Sequence, residues 1–537
     1  MIVIRNSRVL VWALTLTVIS ILALIPAGKP ARAAADEVAT VVRVAPPAPV
    51  IDDQERIAEL AQRRARVSQA IGKSAMLVLF SADPRVYTND VDYEFRQENN
   101  LYYLTNLKQQ NATLVLIPGN SEMPEILFLP RRNPAAETWT GHMYSPEEAH
   151  RISGVKEIWE TSEFQPFLQA VRMRQPYRPK PEKLLLSATA AQPVTATGFE
   201  SLFAAAGKNE GQIYLLVPDQ AESREYRQEQ HFAAEWSKLA SGYSIRNATP
   251  IFSDMRLRKS DLELRFLQHA IDITIEAQER AWLAAGTAKW EYEVDAQVAY
   301  TYKLRNADHW GYPSIVGCGP NATTLHYEES QGPVSQGHLL LMDIGAEYEH
   351  YTADVTRTFP VNGKFSPAQA EIYRIVYDAQ EAGARTIRPG AYVSDVHRAA
   401  TEVIKDGLLK LGLITDKNTE QYRFWFMHGT SHWLGMNVHD VGNYGTKLEP
   451  GMVFTLEPGI YIRPDALDYL PSGMKAEEWE KFKTAVRPAF ERFKGIGVRI
   501  EDDMLVTKTG TRWLTEALPR ELSAIEDFIA RGRAAGS

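Results

Sequence analysis

The chain has 537 residues, is 45% hydrophobic and 23% charged, and carries a formal net charge of -8 with a pI near 5.9. That length calls for two or three domains, and the acidic balance removes the electrostatic footprint expected of a nucleic-acid binder. The single cysteine, Cys318, excludes an intramolecular disulfide framework and any zinc site built on several thiolates; within Gly317-Cys318-Gly319-Pro320 it reads as a packed or loop residue.

Taken in chain order, Arg5 and Arg8 precede an apolar run from Val9 to Ile25, and Ala31-Arg32-Ala33 and Ala33-Ala34-Ala35 offer small-x-small cleavage sites. This pattern predicts a secretory signal peptide over 1–35 and a secreted or periplasmic body. The competing reading is an uncleaved segment that anchors the chain in a membrane. Residues 36–52, with Pro46, Pro47 and Pro49, read as a flexible lead-in. An α/β domain is predicted over 53–255. It opens on a helix from Gln54 to Ile71, and strand candidates follow at Ala75–Phe80, Leu101–Leu104, Thr113–Ile117, Ile126–Leu129 and Ile213–Val217, with a helix over Glu163 to Val171 between them. A charged amphipathic helix from Lys259 to Leu283 marks the second domain, 256–537. Strands are predicted at Leu339–Met342, Val453–Leu456 and Val498–Ile500, and helices at Ala368–Arg385 and Val393–Leu411. Asp465 to Lys494 reads as an insertion with a helix across Ala476 to Phe490, and a last helix covers Glu521 to Arg531. The fold class is therefore α/β (α+β).

The chemistry-bearing residues all fall in the second half. Asp343 and Asp354 lie eleven residues apart in strand-like runs, and a hairpin turning near Tyr348 to His350 brings them side by side. An aspartate directly after Leu339-Leu340-Leu341-Met342 is costly to bury unpaired, and a metal ion is one way to offset that cost; two strand-end aspartates facing water is the equal alternative. Three of the twelve histidines, His428, His432 and His439, fall within one short window. His428 and His432 have the spacing of a zinc-protease helix motif, but Gly429 stands where its general base would be. Glu457 ends an apolar strand, and Arg499 and Glu501 are two residues apart on one strand face. Taken singly, each glutamate is more often a strand-end charge than a ligand.

Asp343, Asp354, His432, Glu457 and Glu501, in that order, resemble the five-ligand dinuclear site of the pita-bread metallopeptidases, the family that includes methionine aminopeptidase, prolidase, creatinase and aminopeptidase P. The window from His428 to Asp440, Glu457-Pro458-Gly459-Ile460-Tyr461 and Arg499-Ile500-Glu501-Asp502-Asp503 look specifically like aminopeptidase P. The likeness runs from about Gln54 to the end, and is strongest from Gly311 to Thr507. It implies a creatinase-like N-terminal domain followed by a pita-bread catalytic domain. It also implies two divalent metal ions, manganese before cobalt or zinc, on a mostly oxygen donor set. The implied substrate is a peptide with proline at its second position. By the same likeness Asp354 and Glu501 bridge both ions and Glu457 is the general base for a metal-activated water. His326 and His439 stabilise the oxyanion, His428 lines the proline side, and Tyr461 and Arg499 orient carboxylates and water. A homodimer or homotetramer is implied as well. Asn100 departs from the pattern, since many relatives carry Asp before the aromatic pair Tyr102-Tyr103. Prolidase, a creatinase-like C–N hydrolase and a non-catalytic peptide-binding scaffold are the competing readings; the last two sit poorly with an intact ligand set. Asn-Ala-Thr strings at Asn111, Asn247 and Asn321 match the glycosylation acceptor pattern and read as chance.

Overall fold

The computed structural model describes residues 41–187, 198–217 and 226–536; the predicted signal segment lies outside them. The part of the predicted lead-in that is described does not run free. Val42 and Ala45 are buried, and the Ala45 N–H donates to Glu276 Oε2 at 2.8 Å.

Helix α1 (Asp53–Ile71) starts where Asp52 accepts from the Gln54 and Glu55 N–H groups. Its buried face carries Leu60, Val67 and Ile71. Strand β1 (Ala75–Phe80) is buried at every position, which explains its unbroken apolar run: both faces of the sheet are covered. Leu77 and Leu79 join the core under α1, while Met76, Val78 and Phe80 pack into a separate aromatic cluster on the other face. The sheet is completed by β2 (Thr113–Leu116), β3 (Glu125–Leu129), β4 (Ile158–Glu160), β5 (Leu184–Leu186), β6 (Gly211–Leu215) and β7 (Tyr243–Asn247), in spatial order β5-β4-β3-β2-β1-β6-β7. It is mixed: β1 pairs antiparallel with β2 and parallel with β6.

One predicted strand is a helix instead. Leu101–Leu104 lies within α2 (Asn99–Thr105), where Glu98 caps the Leu101 N–H and Asn106 closes the turn in the left-handed conformation. All seven residues of α2 are buried, so its pattern had no polar face to reveal the period. The expected helix over Glu163 to Val171 is α3 (Phe164–Arg172).

In the second half, α4 (Asp261–Ala285) is opened by a Ser260/Glu263 capping box and pairs with α5 (Glu291–Leu304). Strands β8 (Ile315–Cys318), β9 (Leu339–Ile344) and β12 (Val355–Pro360) form one antiparallel sheet. Between β9 and β12 the chain makes a hairpin of β10 (Ala346–Tyr348) and β11 (Tyr351–Thr352). It turns at Glu349 and His350, both at positive φ (50° and 67°), the backbone a tight two-residue hairpin requires. A second helix pair follows, α6 (Pro367–Ala384), with its own Ser366/Gln369 capping box, and α7 (Val393–Leu411). The strands after it are β13 (Val453–Leu456), β14 (Gly459–Tyr461), β15 (Gly497–Arg499), β16 (Asp502–Val506) and β17 (Thr511–Trp513). β13 pairs with β16 and β14 with β15, both antiparallel. The stretch predicted as an insertion contains α8 (Ala476–Phe493), whose Trp479 and Phe482 stack near Phe424. The chain ends on α9 (Leu522–Gly536). Among the described residues no helix is long and apolar enough to cross a membrane.

Candidate metal centre

Two strand pairs bring the acids together. Asp343 lies in β9 opposite Thr356 of β12, and Asp354 stands just ahead of β12. Glu457 follows β13, and Glu501 sits between β15 and β16. The Glu501 N–H donates to Thr356 O at 3.0 Å, which ties the two halves at their acidic ends.

Each half also receives one buried glutamine from its helix pair. Gln278 of α4 donates to Met342 O (3.2 Å) and Val355 O (2.8 Å), next to Asp343 and Asp354. Gln380 of α6 donates to Leu456 O (3.0 Å) and Ile500 O (3.2 Å), next to Glu457 and Glu501. A buried carbonyl left without a donor costs about 1–3 kcal/mol, so these amides hold the ends of the acid-bearing strands.

One cavity of about 350 Å³ is lined by Asp343, Asp354, His432, Glu457 and Glu501, together with His326, His428, His439 and Arg499. Tyr461 stands behind it. The ligand atoms of Asp354, His432 and Glu501 all lie within 4.8 Å of one another. His432 Nε2 is 3.2 Å from Asp354 Oδ2 and 3.5 Å from Glu457 Oε1. Its Nδ1 lies 3.2 Å from Trp433 O; a proton there leaves Nε2 as the ligating nitrogen.

The electrostatics point to a cation. Asp343, Asp354, Glu457 and Glu501 share this space with one guanidinium, Arg499, and with His432, whose Nε2 lies within 4.0 Å of three of them. Arg499 donates to Asp343 Oδ2 and, at 3.0 Å, to Thr356 Oγ1. Although burial alone would raise Asp343, the Arg499 charge holds its carboxyl below the usual range. The others go up: burial, then the neighbouring acids, raise Asp354 and Glu501, and burial pushes Glu457 up to about 7. Burial would lower His432, yet Asp354 and Glu457 hold it up to about 9. The site thus draws protons to offset its negative charge, and a divalent ion supplies the same compensation without them.

Behind the acids a directed hydrogen-bond chain is legible from donor chemistry. Arg499 only donates, so its Nη1 at 2.9 Å makes the Tyr461 hydroxyl an acceptor. The Tyr461 proton then goes to His428 Nε2 at 2.8 Å, and His428 Nδ1–H donates to Gly429 O at 2.6 Å. Burial, reinforced by Arg499, pushes His428 down to about 3, so it stays neutral. His439 is also lowered by burial and by His432, whose ring lies 4.3 Å away centroid to centroid.

One residue of the site, Tyr312, went unnoticed in the sequence, and another, Asp503, stood there only as the end of a motif with no role of its own. The Tyr312 hydroxyl reaches Asp343 Oδ1 (2.5 Å) and Asp354 Oδ1 (2.6 Å), bridging the two aspartates; nothing in its local string marks it. Asp503 is fully buried, accepts from the Asp354 N–H at 3.2 Å, and has no partner for Oδ1 among the described residues. Asn100, by contrast, does not line the cavity. It accepts from Arg256 Nη1 and donates to Glu98 Oε1, both at 2.9 Å, and Arg256 in turn pairs with buried Asp440 beside His439.

Comparison with known proteins agrees with this architecture. Residues 265–508 match the family described as Metallopeptidase family M24, and residues 60–177 match the aminopeptidase P N-terminal domain. The Xaa-Pro aminopeptidase of Haemophilus influenzae is 34% identical over 482 residues, covering 88% of this chain and 97% of the relative. That of Escherichia coli is 32% identical with the same coverage. Among solved structures, a variant of Escherichia coli aminopeptidase P in complex with substrate superposes with a TM-score of 0.72 at 30% identity, covering 90% of this chain and 100% of that one. A zinc-substituted form of the same protein with product matches equally well, with a TM-score of 0.72. The chain belongs to the aminopeptidase P group of the M24 metallopeptidase family and is a metallo-aminopeptidase.

Proposed function

We propose that the chain removes the N-terminal residue from peptides whose second residue is proline, and that the convergence of three buried carboxylates and the partly exposed Glu457 with His432 on one histidine-lined cavity is what carries this reading. Asp343, Asp354, His432, Glu457 and Glu501 would hold two divalent ions, manganese before cobalt or zinc on so oxygen-rich a donor set. When bound, such a pair acidifies water to near neutrality and polarises a carbonyl.

The chain's own residues supply the rest. Glu457 takes the proton of the attacking water and later returns it toward the leaving nitrogen, from its place at the cavity wall beside His432. His326 and His439 offer N–H groups to the developing oxyanion. Arg499, Tyr461 and Tyr312 keep the carboxylates in place. A Xaa-Pro bond is a tertiary amide with no N–H to satisfy, so its ring needs packing surface, which His428, Leu325 and Val438 provide at the cavity wall. Export to the periplasm or medium is proposed on the pattern of residues 1–35, and a homodimer or homotetramer on the family likeness.

The test compares the purified chain, with manganese present, on a Xaa-Pro dipeptide and on a longer Xaa-Pro-Xaa peptide. Release of the first residue from the longer peptide is expected. Cleavage confined to the dipeptide would move the assignment to a prolidase, and cleavage of neither would sink it.

A further inference from the structure

Glu291, the first residue of α5, is fully buried and has no cationic partner within salt-bridge distance among the described residues. A lone buried carboxylate is tolerated only when its lone pairs are filled, and here all four are. Oε1 accepts from the Cys318 N–H (2.6 Å) and Asn321 Nδ2 (2.9 Å). Oε2 accepts from the Tyr327 hydroxyl (2.9 Å) and the Gly332 N–H (2.7 Å). Every donor comes from the single segment 318–332.

That segment carries Leu325, His326 and Glu328 into the cavity. His326 makes no hydrogen bond to any described residue, so the path of the loop sets its direction. Two close approaches show how tightly the path is drawn. A Cβ on Gly332 would lie 2.8 Å from Glu291 Oε2, and one on Gly497 of β15 would lie 2.1 Å from Ala322 O. The loop is thus clamped between Glu291 and the strand that bears Arg499.

We propose that Glu291 is the positioning residue for His326: its carboxylate, outside the cavity, folds the 318–332 segment into the one shape that aims the imidazole at the scissile carbonyl. The proposal rests on the reading of His326 as an oxyanion donor. Its test is a double-mutant cycle. Glu291→Gln turns two of the four acceptor sites into donors, and Tyr327→Phe keeps the ring while removing the hydroxyl's bond to Glu291 and the two it accepts from Asn321 Nδ2 and the Gln331 N–H. Both are made in the native and in the His326→Ala background, with manganese content per folded chain measured alongside.

In the native background, His326→Ala is expected to lower kcat about a hundredfold and Glu291→Gln about tenfold or more, with unchanged metal content. Tyr327→Phe gives a smaller loss in the same direction. In the His326→Ala background neither substitution costs more than about twofold. Equal losses in both backgrounds would overturn the proposal while leaving the role of His326 intact. A native rate in His326→Ala would overturn that role and the proposal with it. Where Glu291→Gln fails to fold, Tyr327→Phe decides by the same comparison.

Discussion

Replacing Glu457 with glutamine is expected to lower kcat by about a thousandfold or more, within the range a positioned general base supplies. The argument is one of position and charge. Glu457 follows β13, is held by Thr455 Oγ1 at 3.3 Å, and faces His432 Nε2 at 3.5 Å. Glutamine keeps its volume and one carbonyl oxygen but cannot take a proton from water. Peptide binding, followed by competition against a fluorescent Xaa-Pro-Xaa ligand, should change far less than turnover, because Leu325, Val438 and His428 are untouched. A variant within tenfold of the native kcat would remove Glu457 from the proton transfer.

The metal-free chain should lose stability as pH rises, and manganese should restore it most where the loss is greatest. Glu457 titrates near 4.5 when unfolded and about 7 when folded. Because the folded pKa is the higher one, its favourable contribution is complete below about 4.5 and is lost as pH climbs through 7. Glu501 and Asp354 shift in the same direction. His432, raised to about 9, adds a contribution that fades as pH passes from 6.5 through 9. Asp343 runs the other way, losing its contribution as pH falls through its lowered pKa, and the lowered His428 and His439 likewise favour the fold less as pH falls below 6.5. For Glu457 the difference amounts to about 3 kcal/mol. Melting the metal-stripped chain at pH 5 and pH 8, with and without manganese, reads the sum. The manganese-induced rise in Tm should be larger at pH 8 by on the order of 5 °C. Equal rises at both values would show that the carboxylates do not exchange protons for the ion.

Much of the site was legible because its residues sit in short strings of fixed spacing. The order Asp343, Asp354, His432, Glu457, Glu501 and the three-histidine window can be read without knowing any tertiary contact. The hairpin that turns at Glu349 and His350 was legible too, since two strand-like runs with acids eleven residues apart admit few other closures. What escaped was polar residues whose meaning lies in distant partners. Gln278 acts on Val355 and Gln380 on Asp502, 77 and 122 residues away, and Tyr312 bridges aspartates 31 and 42 residues on. Glu291 would pass for an ordinary acid at a helix start. The same limit governed α2: Leu101–Leu104 is apolar on every side, and a period cannot be read from a pattern with no polar face. Strand β1 escaped this trouble through its unbroken six-residue apolar run and the turn-forming residues Gly72 and Pro84 on either side.

The most direct test is a titration of the metal-stripped chain with manganese, following release of the first residue from a Xaa-Pro-Xaa peptide while counting bound ions. Activity should rise from near zero to its maximum as the second equivalent binds, and Asp354→Ala, which removes a carboxylate shared between the two halves of the site, should bind fewer ions and stay inactive. Full turnover with one ion, or with none, would contradict the dinuclear centre on which the account depends.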